Sequence, residues 1–312
     1  YFAGEALRSG GETLDSVRPG VQVDVTREPV GVVALITSWS APLSIAARKI
    51  APALAFGNSV VFKPSELVPA CGWMLAEIIS RAALPAGAFN LLMGSGRELG
   101  ATLVESPQVD AVSFTGSAAV GARVLQGAAK RRTRVQLEMG GNNALVVMGD
   151  ADLERAVECA LGGAYSWGGQ RCTASSRLIV EAPLHDAFVA RLRQRVAALR
   201  VGHALEKGVE LGPVVDAPHL ERHLEAVRVA QEEGADLLCG GGALHQPSRG
   251  HYMSPALFLA QPQHRIARDE IFGPLSCVLR ADDYEHALAL ANDTPWGLVA
   301  GICTRSLAHA TH

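Results

Sequence analysis

The chain has 312 residues, 48% hydrophobic and 19% charged, with 28 Lys+Arg against 31 Asp+Glu and a formal charge of −3. Such a length suggests about two domains, with core enough to need no disulfide or metal staple. The balanced charge, with no basic run longer than Lys130-Arg131-Arg132, gives no electrostatic reason to bind nucleic acid or anionic lipid.

In chain order, residues 1–11 read as the remnant of an N-terminal region. Glu12–Glu28 is polar, alternates Val21, Val23 and Val25, and turns at Arg18-Pro19-Gly20, so segment 12–29 reads as a β-hairpin with little core of its own. Pro29 to Ala47 is free of charge but broken by Thr37, Ser38, Ser40, Pro42 and Ser44, a strand, loop and helix start rather than a membrane span. From Val30, β-branched runs alternate with helical patterns: Val30–Ile36, a helix from Leu43, Ser59–Phe62, a helix from Pro69, Phe89–Met93, a helix from Glu98, Ala111–Phe114, a helix from Ser117. This rhythm predicts an α/β fold with a parallel, doubly wound sheet over 30–138. A second α/β body is expected over 139–312. Its strands are Ala144–Met148, Arg177–Val180, Asp236–Cys239 and Val278–Leu279, with helices from Leu153 and near Leu184–Leu199 and Pro218–Glu233.

The six cysteines lack C-x-x-C spacing and the N-terminus lacks a signal-peptide pattern, which suits a reducing cytoplasm. No metal is expected, since ten His and six Cys show no ligand spacing. The chain opens on Tyr1 and stops at His312 without a helix-stop signal, which predicts that both ends are cut.

Five segments could carry chemistry, each with a plainer reading beside it. Gly169-Gln170-Arg171-Cys172-Thr173 ends a Gly/Ser/aromatic stretch, Gly162–Gly168, expected as a loop. A thiolate there would be a strong nucleophile, with Arg171 helping if it faces inward; taken alone, Cys172 is equally an inert thiol. Gln136-Leu137-Glu138-Met139-Gly140-Gly141 sets a carboxylate at a strand end before two glycines: a general base, or a surface turn. Phe114-Thr115-Gly116-Ser117 opens a helix whose amides suit a phosphate, or is a simple Ser cap. Val61-Phe62-Lys63-Pro64-Ser65-Glu66 puts a lysine and a glutamate beyond a strand's carboxyl end, where open α/β sheets bind ligands, or is a solvated loop. Glu270-Ile271-Phe272-Gly273-Pro274 is, by itself, a turn.

In this order the five segments resemble the NAD(P)-dependent aldehyde dehydrogenase superfamily across essentially the whole chain. The resemblance implies a Rossmann-type NAD(P)-binding domain, an α/β catalytic domain and an oligomerisation hairpin, hence a homo-oligomer in the full-length form. It implies that Cys172 attacks the aldehyde and Glu138 activates the hydrolytic water. Lys63 and Glu66 would hold the adenosine ribose and Ser117 with its helix the pyrophosphate, with Ser65, Gly96, Gly100, Phe114, Gly116 and Val120 among the cofactor-binding residues. Ile36, Thr37, Ser38 and Trp39 at the first strand end, Met139 and Gly140, and Glu270 with Phe272 complete the implied cofactor set. Gly169–Arg177, Glu138–Gly141 and Asn292–Thr304 are similar to the 2,5-dioxovalerate (α-ketoglutarate semialdehyde) dehydrogenases. Arg48 falls where succinate-semialdehyde dehydrogenases, whose motif resembles Trp39-x8-Arg48-Lys49, place an arginine over the substrate carboxylate. Arg48 and Arg171 are therefore the substrate candidates, and a helix-surface arginine is the plainer reading of Arg48. A carboxylate at Glu66 would repel the 2′-phosphate of NADP, which favours NAD.

The pattern breaks at Ser40, where the family carries an asparagine whose amide helps bind the oxyanion; Ser40 is the substitute candidate. Losing such a donor costs on the order of 100- to 1000-fold in turnover. Asn142 stands where relatives often have lysine, and family chains extend past both ends. Two readings follow: an enzyme oxidising a small aldehyde with a distal carboxylate, α-ketoglutarate or succinate semialdehyde, or a dinucleotide-binding relic of the same fold.

Overall fold

The computed structural model describes residues 1–312, which divide into two compact units, Tyr1–Met139 and Gly140–His312. In the first, a short helix α1 (Glu5–Arg8) precedes β1 (Glu12–Asp15) and β2 (Gln22–Val25), which pair antiparallel with every residue exposed. Then β3 (Val32–Ile36), α2 (Pro42–Ala55), β4 (Ser59–Lys63), α3 (Pro69–Ser80), β5 (Phe89–Leu91), α4 (Gly96–Glu105), β6 (Ala111–Thr115), α5 (Ala118–Ala129) and β7 (Arg134–Glu138) alternate. The five later strands form a parallel sheet in the order β5-β4-β3-β6-β7.

Period-two side-chain alternation explains why this sheet is covered on both faces. Val33 and Leu35 join Ala46 and Ile50 of α2 on one face, while Ala34 and Ile36 join Leu103, Val104, Val124 and Ala128 of α4 and α5 on the other. The chain winds from β3 outward to β5, then returns to β6 on the far side of β3. In open sheets of this kind ligands bind at the strands' carboxyl ends beside such a reversal.

In the second unit β8 (Ala144–Val147), α6 (Leu153–Tyr165), β9 (Arg177–Glu181) and α7 (Ala182–Ala197) lead to α8 (Ala217–Glu232), β10 (Asp236–Cys239) and a small antiparallel pair, β11 (Ala243–Leu244) and β12 (Tyr252–Met253). There follow β13 (Ala256–Leu259), α9 (Arg265–Arg268), β14 (Leu275–Ala281), α10 (Tyr284–Asn292), β15 (Ala300–Cys303) and α11 (Leu307–Thr311). Six strands form one sheet, β10-β13-β14-β9-β8-β15, antiparallel only at β10. One face carries α6 and α7 through Val157, Ala160, Phe188 and Leu192; the other carries α8 and α10 through Val227, Ala230, Ala287 and Leu290.

Several boundaries move from expectation. The strand expected at Val278–Leu279 runs over Leu275–Ala281, buried at every position but Arg280, because it lies in mid-sheet. Strands β13 and β15 and helix α10 were not anticipated; β15 reads Ala-Gly-Ile-Cys, which has little intrinsic strand preference. The expected loop at Gly162–Gly168 is corrected: α6 continues through Gly162 and Gly163 to Tyr165. The glycine at 163 allows close approach, since a Cβ there would lie 2.7 Å from Ser175 Oγ, and Ser175 N donates to Gly163 O. No helix is long and apolar enough to cross a membrane.

Candidate functional site

In the second unit the thiol lies on a tightly specified loop. After α6, Trp167, Gly168 and Gly169 all take left-handed backbone (φ 59°, 66° and 66°), which reverses the chain before Cys172. Only glycine fits at 169, because a Cβ would lie 2.0 Å from Gly273 O. Gln170 ties the loop outward, accepting from Val215 N at 2.9 Å and donating to Pro213 O at 3.2 Å. Arg171 donates to Gly162 O at 3.0 Å and Gly163 O at 2.9 Å, carbonyls of the last turn of α6, with its guanidinium 5.9 Å from the Trp167 ring. The arginine thus anchors the loop to the helix end.

Cys172 is half-buried, and its carbonyl accepts from Asn143 Nδ2 at 2.7 Å. The same amide reaches Ala174 O at 2.9 Å, while Asn143 Oδ1 accepts from Val299 N at 3.2 Å. Asn142, also buried, donates to Ala267 O at 3.0 Å and accepts from Ser176 Oγ. Here the residue beside Gly141 is a structural bridge between loops. Neither asparagine was singled out as a site residue; the signal was two adjacent amides opening an otherwise apolar strand.

The Glu270–Pro274 turn packs from the other side. Glu270 Oε1 accepts from Gly141 N at 3.2 Å, and burial raises its carboxyl above the ordinary value against the opposing effect of that N–H. Phe272 takes left-handed backbone (φ 57°). Behind Gly273 stands His223 of α8, so close that a Cβ at 273 would lie 2.4 Å from its Cε1. Burial first, then the charge of His219, holds His223 down to about 4, so it packs as a neutral ring. The structure brings Gly140, Gly141, Glu270 and Gly273 together with the thiol loop, although they lie far apart in sequence.

In the first unit the candidates line the carboxyl edge of the sheet. Ile36 ends β3, and Thr37, Ser38 and Trp39 follow it; Thr37 N still donates to Lys63 O at 3.2 Å. Lys63, only 2% exposed at the end of β4, donates to Pro64 O at 2.9 Å and Glu66 Oε2 at 3.3 Å. Glu66 Oε1 accepts from Gly96 N at 3.2 Å, at the start of α4, and Gly100 lies a turn further on. Desolvation opposes ionisation of Glu66, but its own backbone N–H, that of Gly96 and the charge of Lys63 together hold it below the ordinary carboxylate range. Ser65 Oγ accepts from Leu67 N at 3.3 Å. Phe114 is buried one residue before the end of β6, and a Cβ at Gly116 would meet its ring at 2.5 Å. Ser117 precedes α5 and is exposed, its side chain making no cap hydrogen bond, so the plain capping role is not what it does. Val120 N donates back to Ser117 O, and Met139 packs on Gly121 of the same helix.

Ser40 is buried, with Oγ 3.0 Å from Ser38 Oγ, just before Ala41 in left-handed backbone (φ 44°). Arg48 is exposed on α2, with its guanidinium 5.9 Å from the Phe2 ring. Its neighbour Lys49 turns inward, and its function was not anticipated. Lys49 Nζ donates to Ser113 Oγ at 2.5 Å and Gln136 Oε1 at 2.9 Å, and Gln136 Nε2 donates to Glu138 Oε1 at 2.9 Å. One amide therefore links an ammonium to the Glu138 carboxylate. Burial lowers Lys49 from 10.5 to about 8, with the charge of Glu138 opposing and that of Arg48 adding.

Comparison with known proteins places this geometry in context. The family model described as the aldehyde dehydrogenase family matches residues 1–312. The chain is 42% identical over 305 residues to a 2,5-dioxopentanoate dehydrogenase of Saccharolobus solfataricus, covering 97% of this chain and 63% of that one. It is 40% identical over 311 residues to an alpha-ketoglutaric semialdehyde dehydrogenase of Bacillus subtilis, covering 98% and 64%. It thus spans less than two thirds of the length of these curated relatives. Among solved structures, the NAD+ complex of betaine aldehyde dehydrogenase from Staphylococcus aureus matches with a TM-score of 0.94 at 37% identity, covering 100% of this chain and 62% of that one. Lactaldehyde dehydrogenase from Escherichia coli matches with a TM-score of 0.95 at 37% identity, covering 99% and 66%.

Proposed function

The chain belongs to the aldehyde dehydrogenase family, and from that premise we propose that it oxidises a carboxylate-bearing semialdehyde, α-ketoglutarate semialdehyde first among them, to the acid with NAD as oxidant. The observation that carries this reading is the thiol loop. Its one nucleophile, Cys172, has its carbonyl pinned by Asn143, while its approach is shaped by Gly169 seated on Gly273. The two relatives named for 2,5-dioxopentanoate and alpha-ketoglutaric semialdehyde supply the substrate class.

The first unit's residues fit a dinucleotide on their own chemistry. A buried lysine held against a carboxylate at a strand end suits a ribose, and α5 opens on backbone amides beside a hydroxyl not used as a cap. Lys63 and Glu66 would hold the adenosine ribose, Ser117 and the α5 amides the pyrophosphate, and Glu270 with Phe272 the nicotinamide ribose. When bound, the nicotinamide supplies the hydride acceptor. The ionised Glu66 favours NAD over NADP by repelling a 2′-phosphate.

In the proposed reaction the Cys172 thiolate adds to the aldehyde carbonyl, forming a thiohemiacetal whose oxyanion the Cys172 amide and the Ser40 hydroxyl stabilise. Loss of hydride from that carbon leaves a thioester. Glu138, oriented by the Gln136 amide, takes a proton from water as the water attacks the thioester carbon, releasing the acid and the thiolate. Arg48 is assigned to the distal carboxylate, while Arg171 serves the loop. The reading also assigns a cytoplasmic homo-oligomer, acting on neither nucleic acid nor membrane.

The test is NADH formation by the purified protein with α-ketoglutarate semialdehyde, succinate semialdehyde and an uncharged aldehyde of similar length. Turnover should favour the acids, vanish in Cys172→Ala, and lose its preference for acids in Arg48→Ala. A folded protein that binds NAD yet yields no NADH even in a single turnover would overturn the reading in favour of a binding relic.

A further inference from the structure

One buried titratable side chain has no part in the reaction steps, yet it backs the turn on which the thiol loop is seated. His223 is 1% exposed, in the second turn of α8. A Cβ at Gly273 would lie within 2.7 Å of its Cε1, Nε2 and Nδ1 atoms, so the ring fills the side-chain space that this glycine leaves free. Gly273 O in turn abuts Gly169, where a Cβ would lie 2.0 Å from it. Ring, turn and loop thus form one line of contact, from His223 through Gly273 to Gly169, three residues before Cys172. Helix α8 holds the same loop a second time. Gln170 accepts from Val215 N at 2.9 Å and donates to Pro213 O at 3.2 Å, just before the helix cap at Asp216. Ile271 of the turn packs on the same core as Leu220 and Leu224 of α8. Neither ring nitrogen of His223 has a hydrogen-bond partner of good geometry. Burial first, then the charge of His219, keeps the ring neutral against the opposing effect of the Phe272 and Ile271 backbone. The ring is held by shape.

We propose that His223 is a positioning residue for Cys172: its ring is the wedge that holds the Glu270–Pro274 turn against Gly169 and so fixes the thiol loop for attack. The wedge acts by volume. Emptying its space lets the turn retreat from the loop, refilling it restores the seat, and intruding on it displaces the turn. The inference rests on the proposed oxidation of aldehydes for what Cys172 does, but not for where the wedge holds it.

The test reads turnover of the semialdehyde and the rate at which iodoacetamide alkylates Cys172, followed by peptide mass spectrometry. In His223→Ala, kcat should fall about tenfold, as it does for a misplaced nucleophile, while KM stays within about twofold because no substrate contact is touched. The half-buried Cys172 should be alkylated about threefold faster, since a loop without its backing opens more often. His223→Leu, of similar volume, should return both readouts to within about twofold of wild type. Gly273 is not in left-handed backbone, so Gly273→Ala acts only by driving its methyl into the ring. It should show the same two changes, and His223→Ala/Gly273→Ala, with the ring gone, should lie nearer to wild type than Gly273→Ala alone. A lowered urea midpoint in His223→Ala with wild-type kcat and alkylation would reduce His223 to core packing and overturn the proposal. Losses in His223→Leu equal to those in His223→Ala would overturn it too. Should His223→Ala fail to fold, Gly273→Ala decides, and wild-type kcat and alkylation there would overturn the proposal. Should the wild type oxidise no aldehyde, the proposed function fails, while the alkylation rates still test the wedge.

Discussion

The Glu270 carboxylate fills the space that a side chain at Gly140 would need. A Cβ there would lie 2.0 Å from Oε2, and the same carboxylate accepts from Gly141 N at 3.2 Å. The obstacle is the far end of a flexible side chain, so it can give way. Gly140→Ala should therefore cost only about 1 kcal/mol of stability, an off-rotamer adjustment, while swinging Glu270 out of place. The expected outcome is a Kd for NAD raised about tenfold, as expected for a lost charge-assisted hydrogen bond, with a nearly unaltered urea midpoint. Calorimetric titration with NAD showing wild-type affinity would remove Glu270 from the cofactor assignment.

Gly169 presents the opposite case, because its obstacle is backbone. A Cβ would lie 2.0 Å from Gly273 O and 3.0 Å from Ala164 O, at φ 66°. Neither carbonyl can rotate away, so Gly169→Ala should lose about 2–4 kcal/mol from left-handed strain and overpacking together. Gly20 in the hairpin, at φ 78° with nothing within 4 Å of its Cβ, is the control. Gly20→Ala should lose about 1 kcal/mol by the conformational part alone. Equal urea midpoint shifts for the two variants would contradict the close approach of the thiol loop to Gly273.

Lys49 gives the first unit a definite pH signature. Its value is lowered from 10.5 to about 8, chiefly by burial. Between those values the unfolded chain holds a proton that the folded chain has released, so stability from this residue rises with pH across the window. Below pH 8 the buried ammonium is charged in both states and its desolvation cost is fully present. The stability of the wild type relative to Lys49→Met should therefore increase by about 1–3 kcal/mol from pH 8 to pH 10 in urea denaturation. A pH-independent difference would show that Lys49 titrates normally.

What could be read in advance follows the range of the physics. The parallel sheet of the first unit was visible because Val33, Leu35, Ala34 and Ile36 form an unbroken apolar run, which only a strand covered on both faces can bury. Lys63 and Glu138 could be singled out as candidates because each ends a strand, and Ser117 because it opens the helix after one, positions where open α/β sheets bind ligands. Contacts between distant segments left no local trace: Gly141 and Glu270 lie 129 positions apart, and Asn143 meets Cys172 across a strand, helix and turn. Local rules also misread Gly162 and Gly163, which disfavour a helix by propensity yet lie inside the last turn of α6, where Ser175 presses against Gly163. Lys49 escaped notice beside Arg48 because consecutive helical residues point about 100° apart, and only packing tells which of them turns inward.

Ser40 is the residue on which turnover should depend most sensitively. It is buried, and its hydroxyl sits 3.0 Å from Ser38 Oγ, a partner that competes for its proton. Ala41 follows in left-handed backbone, which turns the chain into α2 immediately after it. A side chain at position 40 is therefore held at a fixed point of the β3 strand end rather than on a mobile loop. Ser40→Asn places there an amide N–H on a longer stem, the donor that the family resemblance implies. Turnover of the semialdehyde should rise at least about tenfold, toward the 100- to 1000-fold that one oxyanion donor contributes. The gain should appear in kcat and kcat/KM together, since the donor acts on the charge formed in the transition state. A variant with unaltered kcat and intact NAD binding would mean that the Cys172 amide alone supports the oxyanion and that Ser40 is a structural residue of the strand end.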